Sequence, residues 1–334
     1  MNKVLCFGEL LLRYSPKLNL GWIRQASMPV YVGGAEVNTA AALALWNIPT
    51  ELVTVLPDNY LSREIQNYLN SRHIGTAGIR LSGSRIGSYY LPQGTDLKGA
   101  GVIYDREHSS FYNLQPGDID WDEVLDGVSW LHLSAISPAL NARTAAACLE
   151  AVRSAAAKNI VISIDLNYRE KLWRWGKTPA EIMPGLVEHA SLVMGNIWAA
   201  EKMLGIAVDP TLGSKKEHYL RQAEITSREL IDRFPSVQTV ANTFRFDTAG
   251  TVQYYATLLE GGEFSVSREY STDTVIDRVG SGDCFMAGLI YGTLNKLSYD
   301  EKINFAAAAA FSKLFIQGDT TTSSVADVYR RLNG

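Results

Sequence analysis

Short apolar runs of β character alternate along this chain with longer runs of helical character, and that alternation sets the fold class. Residues 3–7, 51–56, 130–134, 160–164, 192–194 and 237–241 read as strands. Residues 35–46, 62–72, 142–157 and the stretch leading to 204 read as helices. Strands and helices in alternation imply an α/β fold with a parallel sheet covered by helices on both faces. In such sheets ligands gather at the carboxyl ends of the strands. Asn167 and Asn196 fall at two such ends. Two segments, 11–32 and 84–112, break the pattern. They are rich in Tyr, Ser and Gly and carry short β-like runs at 88–91 and 101–104. They could pair into one small sheet or form two unrelated surface hairpins.

The bulk properties fit a globular enzyme. A chain of 334 residues is long enough for one large α/β domain with a small appendage. A hydrophobic share of 46% with 20% charged residues argues against disorder. A net charge of −4 argues against a nucleic-acid partner, so a small anionic substrate would need local positive charge. Cys6, Cys148 and Cys284 are far apart in apolar or helical surroundings and read as reduced core thiols. No apolar run approaches the ~18 residues of a membrane span. The N-terminal apolar run is broken by Glu9 and Arg13, so a signal peptide is not expected and the cytoplasm is. There is no internal repeat, and the polar stretch 213–228 reads as a solvated helix with an adjoining turn.

The chemistry concentrates in residues 277–288, DRVGSGDCFMAG. Gly280, Ser281 and Gly282 precede Asp283 at the mouth of a helix expected over 284–295. A glycine-rich turn and a helix N-terminus together make an anion site. An aspartate there repels an anion, which makes sense if it takes a proton from a hydroxyl attacking a phosphoryl group. At a helix start Asp283 is expected to stay ionised, contributing position more than a raised pKa. No G-x-x-x-x-G-K-[ST] string occurs, and Gly280-Ser281-Gly282 is not continued as G-x-G-x-x-G. The plain alternative is a glycine turn that caps a helix.

The whole string closely resembles the C-terminal signature of the ribokinase/PfkB carbohydrate kinases, D-x-x-G-A/S-G-D-x-F-x-x-G, at Asp277, Gly280, Ser281, Gly282, Asp283, Phe285 and Gly288. Near the N-terminus, residues 33–40 resemble the same family's G-G-x-x-x-N-x-A string. The resemblance covers essentially the whole chain. It implies a ribokinase-like, three-layer, doubly wound and mostly parallel sheet with a small discontinuous β-sheet lid. The core would be residues 1–10, 33–83 and 113–334, and the lid 11–32 and 84–112. It also implies Asp283 as catalytic base, with Gly280, Ser281 and Gly282 as the anion hole. Gly33, Gly34 and Asn38 would contact the sugar. ATP and Mg2+ are the implied cofactors, with a monovalent cation left open. No direct side-chain metal ligation is expected; Asp277 would contact a cation or orient the loop. Homo-oligomerisation through the lid is expected.

Three further strings narrow the sugar. Residues 8–13, 102–106 and 165–173 resemble the G-E-x-L-x-R, V-x-Y-D-R and D-x-N-Y-R-x-x-L-W strings of the branch that phosphorylates 2-keto-3-deoxygluconate. A sugar acid carries a carboxylate, for which a guanidinium is the best partner. Arg106 and Arg169 could converge on it, with Tyr89 and Tyr104 as hydroxyl donors and apolar walls. Asp319 is a further expected substrate contact, and Asn167, Asn196 and Arg245 are expected on the nucleotide side. The alanine run 306–310 lies under the nucleotide or simply packs two helices. Two departures stand out. Residues 196–199 keep the asparagine of the family's N-x-x-E but not its glutamate, and 239–247 lacks the glycines of the nucleotide strand. Lys98 also differs from the compared lid. The expected reaction is transfer of the γ-phosphate of ATP to the C6 hydroxyl of a sugar acid. The alternatives are a kinase for a neutral sugar such as fructose or ribose, or a non-catalytic sugar-binding homologue.

Overall fold

The computed structural model describes residues 3–17, 24, 27–94, 101–248 and 250–333; Lys98 lies outside them. In chain order the strands are β1 (Lys3–Phe7), β2 (Leu11–Tyr14), β3 (Val30–Gly33), β4 (Thr50–Leu56), β5 (Ile74–Gly75), β6 (Ile79–Leu81), β7 (Gly87–Tyr90), β8 (Ile103–Asp105), β9 (Val128–Ser134), β10 (Val161–Asp165), β11 (Leu192–Gly195), β12 (Thr239–Thr248), β13 (Thr251–Glu260), β14 (Glu263–Val266) and β15 (Tyr270–Thr272). The helices are α1 (Ala35–Leu45), α2 (Tyr60–Ser71), α3 (Trp121–Val124), α4 (Ala142–Ala157), α5 (Pro179–Val187), α6 (Ile197–Leu204), α7 (Lys216–Arg233), α8 (Ser281–Leu294), α9 (Tyr299–Lys313) and α10 (Val325–Asn333).

The large sheet runs β14-β13-β12-β11-β10-β9-β1-β4-β5, with β15 on β13 and β6 on β4. From β12 across to β5 and β6 every pairing is parallel; β13, β14 and β15 add an antiparallel edge. Alternate residues of a strand enter opposite apolar layers, as a sheet buried on both faces requires. Val4 and Cys6 of β1 join one cluster, Leu5 and Phe7 the other. The layered α/β architecture expected from the alternation is present. The sequence reading stopped strand 237–241 short. β12 continues to Thr248 and folds back on β13 over ten paired positions.

β2, β3, β7 and β8 form a separate sheet in the order β3-β2-β7-β8. Its strands come from both segments that broke the alternation, so the two pair with each other and are not independent hairpins. The outer strands β3 and β8 carry the exposed side chains of Val30 and Ile103.

α8 and α9 lie unusually close. A Cβ on Gly288 would sit 2.6 Å from the Cα of Ala306, so only glycine fits. Ala306–Ala310 are fully buried and do not border the cavity described below. Of the two readings of that alanine run, helix packing is the one realised. The three cysteines are buried and unpaired. Among the described residues no helix is long and apolar enough to cross a membrane.

Candidate active site

The glycine-rich run turns the chain into α8. Gly280 has φ 83°, a left-handed conformation that glycine adopts without strain, and it caps the helix. A Cβ there would also meet the Asp319 carbonyl oxygen at 1.9 Å. The first intrahelical bond runs from Cys284 N–H to Gly280 O. The N–H groups of Ser281, Gly282 and Asp283 therefore have no intrahelical acceptor and form a donor cradle. The helix starts at Ser281, three residues before the start read from the sequence, which places Asp283 in its first turn.

Asp283 is buried beside this cradle. Asn38 Nδ2, from α1, donates to its Oδ2 at 2.7 Å, and Thr39 Oγ1 donates to its backbone carbonyl at 3.2 Å. Burial pushes its carboxyl up to about 8, and the charges of Asp165 and Glu36 add to the rise. The Asn38 hydrogen bond and the field of Arg169 oppose it. This burial opposes the expectation that the helix start keeps the group ionised. Desolvation is the largest influence on this carboxyl. The oxygen of the Asn38 amide, Oδ1, is buried without a hydrogen-bond partner.

Asp283 and the cradle face a cavity of about 590 Å³. Its walls follow the carboxyl ends of consecutive strands. Glu9 follows β1, Ile136 follows β9, Asp165 to Lys171 leave β10, Gly195 and Asn196 leave β11, and Thr243 and Arg245 stand on β12. Tyr89, Val102, Tyr104 and Arg106 close it from the small sheet and its following loop. Of the residues singled out from the sequence, Gly34, Asn38, Tyr89, Tyr104, Arg106, Asn167, Arg169, Asn196, Arg245 and Gly280 to Asp283 all border this one space.

Three do not. Gly33 packs on the Asp319 carboxylate, which a Cβ would meet at 2.2 Å. Asp319 lies beneath the cavity: Tyr89 Oη donates to its Oδ2 at 3.0 Å, and its Oδ1 lies 2.7 Å from Arg13 Nε. Asp277 is turned away as well. Its Oδ2 lies 2.6 Å from Arg13 Nη2 and accepts the Gly318 N–H at 3.1 Å; its Oδ1 accepts the Val279 N–H at 3.1 Å. These contacts are those of a residue that orients the loop, one of the two readings made of Asp277. Asp319, expected as a substrate contact, and Asp277 both face Arg13 here.

Arg106 also has a partner inside the protein. Its Nε lies 2.6 Å from Glu9 Oε2, and Ser109 Oγ donates to Glu9 Oε1. Arg169 is half-buried at the start of a 3-10 turn, Glu170–Leu172, with one Nη donating to the Tyr168 carbonyl. Several lining residues escaped the sequence reading. Glu36 borders the cavity with Oε1 accepting from the N–H and hydroxyl of Ser134, and burial pushes its carboxyl to about 7. Lys202 and Arg278 add positive charge near Arg245, and Trp198 adds an aromatic wall. Arg278, Glu36 and Trp198 stand inside strings already singled out (277–288, 33–40 and 196–199) and were readable there; Lys202 has no local signal.

Asn196 caps α6, its Oδ1 accepting the Ala199 N–H at 2.8 Å. Ala199 occupies the place of the family's glutamate and borders the cavity. Glu201 does not reach it. Its Oε1 faces the Val208 N–H at 3.5 Å. Among the described residues no cluster of three or more His, Cys, Asp or Glu side chains could hold a metal ion. A divalent ion here would travel with the phosphates of the nucleotide, as part of the substrate.

Comparison with known proteins agrees with this geometry. The model of the pfkB family carbohydrate kinases matches residues 1–325. A solved structure of 2-dehydro-3-deoxygluconokinase from Thermotoga maritima superposes with a TM-score of 0.90 at 33% identity, covering 100% of both chains. The 2-dehydro-3-deoxygalactonokinase of Haloferax volcanii is 25% identical over 99% of this chain and 97% of its own. A fructokinase of Xylella fastidiosa, solved with bound ATP, shares the fold at a TM-score of 0.74 and 19% identity, covering 99% of this chain and 98% of its own. With a donor cradle, a buried carboxyl group and a cavity at the carboxyl ends of the strands, the chain, matched over residues 1–325, belongs to the pfkB family of carbohydrate kinases.

Proposed function

We propose that this kinase transfers the γ-phosphate of ATP to the C6 hydroxyl of 2-keto-3-deoxygluconate or a close sugar acid. The observation that carries the reading is that Asp283 and the free amides of residues 281–283 face the same cavity as Arg106, Arg169, Tyr89 and Tyr104. One end can hold a hydroxyl against a base and a phosphoryl group against amides; the other can meet a carboxylate with guanidinium groups. In this reading Asp283 takes the hydroxyl proton as the oxygen attacks phosphorus. The amides stabilise charge on the transferring oxygens. Asn38 Oδ1, unpartnered beside the base, accepts a sugar hydroxyl. The basic group of Lys202, Arg245 and Arg278 receives the nucleotide phosphates with their Mg2+, together with Asn167 and Asn196.

The small sheet and its loops, within 11–32 and 84–112, act as the lid over the sugar. We also infer that the edge strands β3 and β8, with Val30 and Ile103 exposed, meet a second copy of the chain. An enzyme that consumes ATP is proposed to work in the cytoplasm, where its nucleotide is made. Whether a monovalent cation joins ATP and Mg2+ turns on the residues beneath the cradle.

ADP release measured with a panel of sugars tests the reading. The panel contains both C4 epimers of the 2-keto-3-deoxy hexonate, fructose and ribose. That choice follows the gluconate and galactonate named for the two relatives. The keto acids should exceed the neutral sugars in kcat/KM by about 100-fold or more, because a neutral sugar offers no carboxylate to Arg106 and Arg169. Faster turnover of a neutral sugar overturns the substrate. Sugar-acid binding without ADP release points to a non-catalytic binder.

A further inference from the structure

Two buried cations lie behind the phosphate cradle, and the carboxylates around them are already matched. Arg13 comes from the lid strand β2, with its guanidinium 2.6 Å from Asp277 and 2.7 Å from Asp319. Its planar end also stacks over the Tyr31 ring at 4.5 Å. Lys313 ends α9 and is wholly buried; its Nζ donates to the Ile316 carbonyl at 2.9 Å. Its Cε lies 3.3 Å from where a Cβ on Gly280 would stand, so the ammonium abuts the cradle itself. Two cations and two anions make this buried group neutral.

A soluble monovalent cation in the same place would need oxygen ligands, and these are committed. Asp277 serves Arg13 and the N–H groups of Val279 and Gly318. Asp319 serves Arg13 and Tyr89, and the Ile316 carbonyl serves Lys313. A third positive charge would be buried without a counterion, which is strongly unfavourable. The residues therefore do not fit the monovalent cation that the family resemblance left open.

We propose that the Lys313 ammonium is a built-in substitute for that cation. It ties the 314–319 loop to Gly280, places fixed positive charge behind the cradle, and makes the kinase indifferent to potassium. An ammonium group and a potassium ion carry the same charge, and carbonyl oxygens accept hydrogen bonds from the one and coordinate the other, so one can stand for the other. Lys313 touches neither substrate in this scheme; it is a positioning residue that acts through the cradle amides. The inference rests on the reading of residues 280–283 as the anion hole.

The test has a readout that needs no substrate. Thermal unfolding of the ligand-free protein is compared in potassium chloride and tetramethylammonium chloride at equal ionic strength. The midpoints should agree within about 1 °C; a potassium-specific rise above about 3 °C reveals a bound ion and overturns the proposal. This result stands even if the sugar assignment fails. With a phosphorylated sugar in hand and ADP measured directly, wild-type kcat in the two salts should agree within about twofold; activation by potassium above about fivefold overturns it. Lys313→Met keeps the stem and loses the charge. Its kcat should fall about 10- to 100-fold, and ammonium or potassium ions should restore at least about fivefold. Undiminished kcat without added cation, or a folded variant that neither ion restores, overturns the cation role. Should Lys313→Met fail to fold, the two wild-type comparisons decide alone.

Discussion

Asp283 illustrates how burial can reverse a role read from local sequence. With its carboxyl pushed to about 8, the unprotonated form that can act as base grows as pH rises. The acid limb of kcat/KM should therefore lie near pH 8, and a limb near pH 4 would refute the shift. Stability runs the opposite way. A raised carboxyl pKa contributes stability that is fully present below the ordinary value of 3.8 and is lost as pH rises through about 8. Asp283→Asn removes that buried charge while its amide oxygen can still accept from Asn38. At pH 8.5 the variant should be more stable than wild type by about 1–3 kcal/mol in urea unfolding. Its kcat should fall by about 10³-fold with sugar affinity retained. At this scale the proposed base and its amides were legible in the sequence because they are contiguous. It did not show what Glu9 and Arg13 do. Their partners, Arg106 and Asp277, lie 97 and 264 positions away, and no local pattern marks such pairs.

Among the elements, α8 and α9 carry the catalytic loop. The glycine at 288 lets Ala306 approach so closely that a methyl group has nowhere to go. Gly288→Ala should destabilise the protein by about 2–4 kcal/mol and lower kcat with little change in sugar KM, because the helix that presents Asp283 must shift. Unchanged chemical unfolding would show that the helices separate freely. Helices and parallel strands were legible here because apolar periodicity and alanine content are local signals. The β12–β13 hairpin was not. Its outer half mixes Phe244 and Phe246 with Arg245 and Asp247, a pattern of a half-exposed strand that resembles a loop by composition. The early start of α8 was missed for a similar reason: Gly280, Ser281 and Gly282 have poor helix propensity, and only the cap geometry makes two of them helical.

For the whole molecule, the small sheet and its loops are fastened to the core by buried ion pairs at two places. Glu9 reaches Arg106, and Arg13 reaches Asp277 and Asp319. Glu9→Gln should leave Arg106 buried without its counterion, costing about 3–5 kcal/mol of stability. It should also raise the sugar KM more than it lowers kcat. The double variant Glu9→Gln/Arg106→Gln should recover part of the stability loss. If it recovers none, the pair is not coupled. If a second copy docks on the lid edge, Ile103→Asp should halve the mass seen by light scattering; an unchanged mass would exclude that edge as the interface.

Tyr89 has its ring on the sugar cavity and its hydroxyl on Asp319, which meets Arg13, which meets Asp277 at the head of the phosphate loop. On the proposed reading, the side chain that helps choose the sugar is thus three contacts from the loop that handles phosphate. Choice of substrate and speed of transfer are not independent traits in this enzyme. A replacement at Tyr89 made to admit another sugar disturbs the support of the phosphate loop as well. Retuning its substrate range would call for compensating changes at Asp319 or Arg13, far from the new ligand.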